Sequence, residues 1–168
     1  MGVYTNIQVK TVGFGGDAGV PPISEQGTFL FPQDETPMEQ FSVKNVKIMG
    51  QSAGKSLGQW ICDFGMEPMP ANDSWTVTVT DKRITFLTRY VPSVFGGKPV
   101  QKSGKVSAGQ VKIKDVDRVT VDSTKEPFLL SIYYRRCDGA GLYFFIEAEK
   151  PVLDALANTI NLAKSKRQ

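Results

Sequence analysis

The apolar positions of this chain follow three regimes. Over the first forty residues they keep no period. "GFGGDAG", "PP" and "FPQDETP" are the chemistry of loops or an extended arm, with Phe14, Ile23, Phe29, Leu30 and Phe31 as apolar anchors. From Phe41 onward the period is two, the signature of half-buried strands. "FSVKNVKIM" alternates through Phe41 and Val43 and then through Val46 and Ile48, and the phase slip between the two pairs predicts a bulge. "QWICDF" reads as a short strand. "SWTVTVT" sends Trp75, Val77 and Val79 to one side and threonines to the other. "RITFLTRYV" alternates through Ile84, Phe86 and Thr88, and Asp81-Lys82 between these two runs makes a tight hairpin connection. The stretch "PSVFGGKPVQKSGKVSAG" interrupts as a long loop or loose hairpin. "QVKIKDVDRVTVD" then gives a short strand with Val111 and Ile113, a bend at 115–117, and another strand with Val119 and Val121. "PFLLSIYYRRC" and "LYFFIEAE" flank Asp138-Gly139, a turn pair because glycine accepts positive φ without penalty.

After residue 150 the period becomes 3.6. Leu153, Leu156, Ile160 and Ala163 share one stripe with Val152 beside it. Pro151 suits a first helical turn, where a missing N–H leaves nothing unpaired. Asp154 lies early and Lys164, Lys166 and Arg167 late, as the helix dipole prefers. The pattern therefore predicts a mainly β chain of about seven antiparallel strands closed by one C-terminal amphipathic helix. Such a sheet exposes apolar surface at its open end. Curling it into a partly open barrel and laying the helix across the opening buries that surface, at about 1.5–3 kcal/mol per large side chain. Residues 1–40 are expected to form a Gly/Pro-rich arm or extension, and 41–168 the domain.

"WTVTVTDKRITFL", "GQVKIKDVDRVTVD", the hairpin "FLLSIYYRRCDGAGLYFFIEA" and the closing helix together resemble a pleckstrin-homology-like (PH-like) domain of the GRAM or bacterial PH-like branch. Thr80-Asp81-Lys82-Arg83 matches the hairpin motif of that branch, and Val111, Val116 and Val119 match its second motif. The resemblance covers about residues 41–166. The first forty residues and the 92–109 insertion have no counterpart in it. It implies a non-catalytic docking module, for membrane phosphoinositides or for protein segments. Headgroup binding in such domains draws on basic residues near the first strand-to-strand loop. Here Lys44, Lys47 and Lys55 stand near that loop, without the tight basic-x-basic spacing of a strong phosphoinositide site.

Composition narrows the chemistry. The chain of 168 residues has no histidine, which removes Ser-His and Cys-His dyads and histidine metal ligands together. Cys62 and Cys137, far apart, read as free buried thiols, with a disulfide between them as the open alternative, and cannot make a zinc site by themselves. No cofactor is called for. The N-terminus lacks a secretory signal pattern, and no apolar run reaches the length of a membrane span, so a cytoplasmic address is expected. The net charge of +3 hides an asymmetry. Residues 1–40 hold five acids against one base, while Lys98 to Lys114 hold five lysines and no acid.

These features name the candidate sites. The basic loop at 96–105, with Lys98, Lys102 and Lys105 behind Phe95, is the electrostatic candidate for an acidic protein or an anionic membrane surface. "NVKIMGQSAGKSLGQ" with Lys55 imitates a phosphate loop. Gly50 stands one residue too close to Gly54 for that motif, and the glycines and prolines beyond Lys55 forbid the helix it requires. Tyr133-Tyr134-Arg135-Arg136 alternates across both strand faces, so only one aromatic–arginine pair serves any one surface, and no nucleic acid is expected. The leading expectation is a protein-binding or scaffolding module, including self-association. Peripheral binding to anionic lipid is the alternative, and a nucleotide enzyme using residues 50–56 the remote one.

Overall fold

The computed structural model describes residues 8–11, 21, 28–51, 71–91, 100–101, 105–135 and 141–166. Its strands, in chain order, are β1 (Gln8–Thr11), β2 (Pro37–Val43), β3 (Asn45–Gln51), β4 (Trp75–Thr80), β5 (Arg83–Thr88), β6 (Tyr90–Val91), β7 (Val100–Gln101), β8 (Lys105–Lys112), β9 (Val116–Asp122), β10 (Leu129–Arg135) and β11 (Gly141–Glu147). Helix α1 (Lys150–Lys166) follows them, and a 3-10 turn at Ile113–Asp115 joins β8 to β9.

The strands form two main sheets and a small ribbon. The first sheet runs β1-β8-β5-β4-β2, the second β3-β11-β10-β9, and β6 pairs with β7. Every described pair is antiparallel except β1 beside β8. The expected fold is present: β2 with β3 as one interrupted strand, then β4, β5, β8, β9, β10 and β11, closed by α1. Strand β1 and the β6–β7 ribbon are additions to it, and the sheets do not close into a barrel.

The phase slip after Val43 marks a change of sheet, which corrects the expected bulge. Strand β2 pairs with β4, with Val43 opposite Trp75, while β3 pairs with β11, with Asn45 opposite Glu147. Lys44, between them, donates its backbone N–H to the Glu147 carbonyl at 2.8 Å. Val43 and Val46 are both fully buried, three positions apart. Strict alternation would send one of them outward. The kink at Lys44 lets one stretch of chain line the core from both sheets.

The core lies between the sheets. Trp75, Val77, Val79, Ile84 and Phe86 from the first sheet meet Leu130, Ile132, Phe144 and Ile146 from the second, all at zero exposure. Phe86 stacks on Phe144 with centroids 4.6 Å apart, and Tyr134 stacks on the same ring at 5.3 Å. Offset ring pairs of this kind add to the area they bury. The α1 stripe of Leu153, Leu156, Ile160 and Ala163 is wholly buried against this core, and the helix packs on β9, β2 and β4. Thr159 on the same helix donates to a Glu39 carboxylate oxygen of β2 at 3.0 Å.

The outer face of the first sheet is also covered. Leu87, Val106 and Ala108 form a second small cluster, with Phe29 packed on it. Thr78, Thr80 and Thr85 face outward from β4 and β5 yet are buried, while Thr88 shares the inner face of Ile84 and Phe86. Thr85 Oγ1 donates to Thr78 O at 3.1 Å, and Thr88 Oγ1 to Ser74 O at 2.7 Å. This cover also corrects the reading of residues 105–109 as loop. They are the first half of β8, where the small Ala108 and Gly109 sit buried opposite Leu87 and Phe86. The bend expected at 115–117 falls at the 3-10 turn, Ile113–Asp115, and β9 begins at Val116.

Candidate functional site

The hairpin turn between β4 and β5 is clamped residue by residue to the acidic end of the N-terminal arm. Thr80 Oγ1 first shapes the turn, accepting the N–H groups of Lys82 at 3.1 Å and Arg83 at 2.9 Å. Glu35, whose side chain is 1% exposed, then receives the Thr80 hydroxyl at 2.6 Å and both Nε and Nη2 of Arg83 at 2.8 and 2.6 Å. Arg83 Nη1 donates onward to Gln110 Oε1 of β8 at 2.8 Å. A two-pronged arginine–carboxylate contact with a third donor is what makes a buried charge tolerable. On either side, Asp34 pairs with Lys82 at 2.7 Å, and the Thr36 and Asp81 segments exchange hydrogen bonds at 3.0 and 3.1 Å. The Lys82 ammonium holds the exposed Asp34 carboxyl below its usual range, first by hydrogen bond and then by charge. Asp34 in turn raises Lys82. The acid-rich arm and the base-rich turn are thus two halves of one contact, whose role is structural.

A groove of about 720 Å3 opens at the corner where the chain changes sheets. Four segments build it: the Lys44 kink, Asn72-Asp73 ahead of β4, the entry to β10 at Glu126-Pro127-Phe128, and the passage from β11 into α1 at Glu147-Ala148-Glu149. Phe128, Ala148 and Val152 form its apolar floor, half-buried and packed on the main core. Its rim is acidic, from Asp73, Glu126, Glu147 and Glu149, with Lys44 as the one lining cation. Lys44 Nζ lies 3.4 Å from Glu147. Among the described residues Asp73, Glu126 and Glu149 have no ion-pair partner. A second cavity, about 340 Å3, lies between Phe29, Phe31 and the threonine face of β4.

Of the residues expected to form a site, Lys55, Phe95, Lys98 and Lys102 lie outside the described residues. Lys105 opens β8 opposite Gln8 of β1. Cys62, Cys137 and "QWICDF" also lie outside them. Gly50 and Gln51 of the phosphate-loop look-alike are strand residues, opposite Leu142 and Gly141, and residues 52–56 are outside. Lys44 is committed to Glu147, and Tyr134 belongs to the core, so neither acts as a free surface group. Tyr133 carries the Arg118 guanidinium 4.5 Å above its ring. The sequence pattern does not show the groove, because its lining comes from four separate stretches between Ser42 and Val152 that only the fold brings together.

No family model matches this chain, and no curated protein does. Among solved structures it is similar to one described as the Vps36 N-terminal PH domain, with a TM-score of 0.51 over 88% of this chain and 92% of that one. The chain has a PH-like fold. Sequence identity to that domain is 11%, so the likeness is one of architecture. In the PH-like frame, β2–β3 is the bent first strand shared by both sheets, and α1 is the closing helix.

Proposed function

We propose that this chain is a non-catalytic PH-like interaction module of the cytoplasm, of GRAM or bacterial PH-like type, serving protein binding or scaffolding. The observation that carries the reading is how the interior is filled. Both sheets and the helix spend their apolar faces on one another at zero exposure, so recognition falls to the outer surface. That surface offers an acidic groove with an apolar floor, and edge strands β9 and β3, beside which no further strand lies among the described residues. Both suit protein segments, since strand edges accept added strands and grooves accept side chains. Among the described residues no helix is long and apolar enough to cross a membrane.

The second reading is peripheral binding to anionic lipid through the 96–105 loop. It is favoured by the β6–β7 ribbon, which pairs Val100-Gln101 of that stretch with Tyr90-Val91 and leaves Val100 exposed. Sedimentation with phosphatidylserine vesicles at low and high salt separates the two. The protein-binding reading expects the chain to stay in the supernatant. Salt-sensitive pelleting that disappears when Lys98, Lys102 and Lys105 become alanine would select the membrane. A nucleotide reading expects Trp60 fluorescence to respond to ATP. Because Gly50 and Gln51 are committed to β3, no response is the outcome expected.

A further inference from the structure

We propose that the groove at the Lys44 corner docks an extended basic segment of a partner protein, seating one apolar side chain on Phe128 and Val152. Lysines or arginines on either side of that side chain would meet the acidic rim. This rests on the protein-binding reading and names the chemistry of its partner. The floor supplies the anchor: Phe128, Ala148 and Val152 are only half-buried and already rigid, because they pack on the main core. The rim supplies the selection. Four carboxylates surround one lysine, and Asp73, Glu126 and Glu149 have no cationic partner among the described residues. An occupant with a lysine or arginine on each side of an apolar residue answers both features at once. The same charge works against the competing occupants. An anionic membrane or a phosphorylated segment would be repelled by these acids, three of which have no ion-pair partner among the described residues. The groove's volume, about 720 Å3, is of the size that takes a few side chains rather than a whole domain face.

The groove is assembled from a kink, the 72–73 segment, a strand entry and a helix start, and backbone hydrogen bonds hold the kink and the helix start. Lys44 N–H binds Glu147 O at 2.8 Å, and Leu153 N–H binds Glu149 O at 3.0 Å. Charge changes on its exposed rim therefore leave the fold intact. The test is fluorescence anisotropy of a dye-labelled ten-residue peptide in which two leucines are flanked by lysines and arginines. The titrant is the full chain or its E126K/E149K variant. Saturable binding is expected, weakened about tenfold by the double charge reversal and by raising salt from low to physiological ionic strength. A control peptide with glutamates in place of the basic residues should not bind. Matching thermal melts of the two proteins would show that the variant is folded. The proposal is overturned by no saturable binding, by equal binding to the variant, or by equal binding of the acidic peptide. It is also overturned if the groove proves to hold another occupant. One such result is oligomerisation of the chain alone that E126K/E149K abolishes; another is vesicle binding that the same variant loses. Partner capture that persists in the variant would leave the interaction-module reading standing while removing the groove from it.

Discussion

At the residue scale, Glu35 is the position where a small change has the largest consequence. Its carboxylate is nearly inaccessible and takes three donors, two of them from Arg83. Removing one partner of such a pair leaves the other charge desolvated and costs about 3–5 kcal/mol. Arg83 keeps Gln110, so Glu35→Gln is expected near the low end, about 3 kcal/mol by urea unfolding. Replacing both partners, E35Q with R83M, should recover part of that loss, because no lone guanidinium is then left behind. An additive double variant would contradict the pairing. The Asp34–Lys82 contact behaves differently, lying at the surface. Asp34 is held below 3.8, so its contribution is present above the unfolded value and disappears as pH falls through the lower folded one. Lys82 is raised above 10.5, so its share is present below that value and is lost as pH rises through the folded one. Asp122 is lowered by the Thr124 hydroxyl, then by the Thr124 N–H. Thr124→Val should move the Asp122 carboxyl partway back toward 3.8 in an NMR titration. An unchanged midpoint would mean that the hydroxyl is irrelevant.

At the element scale, helix α1 was the most legible part of the chain, and the arm the least. The 3.6-residue spacing of Leu153, Leu156, Ile160 and Ala163 marks a buried stripe, and all four are buried. Leu156→Ala should cost about 2–5 kcal/mol in a denaturant titration, while Leu162→Lys, at 53% exposure, should stay within about 0.5 kcal/mol. Equal losses at both positions would mean that the helix does not dock through this face. The β4–β5 hairpin was equally clear, because two alternating runs flank a short polar turn. Strand β8 was obscured because Ser107, Ala108 and Gly109 carry little strand preference of their own. They are held in the sheet by pairing with Thr88, Leu87 and Phe86 and, at Ala108, by the cluster under Phe29. The kink at Lys44 was visible only as a broken period. One broken period fits a bulge and a change of sheet equally well, and only the partner strands distinguish them.

At the scale of the whole molecule, one interrupted strand ties two sheets together, and a helix covers the core between them. The PH-like architecture was readable from the order of hairpins and the closing helix. The candidate site was not. The basic loop stood out because lysines cluster along the sequence, whereas the groove's carboxylates come from positions 73, 126, 147 and 149, where no local pattern joins them. Its existence depends on the sheet change bringing Lys44 beside Glu147 and on the helix starting at once after β11. The most direct measurement of the account is amide chemical-shift mapping of the labelled chain titrated with the basic, leucine-bearing peptide. Saturable shifts concentrated at Lys44, Phe128, Ala148, Glu149 and Val152 are expected, with the outer threonine face of β4 silent. Shifts centred on residues 96–105, or none anywhere, would contradict it.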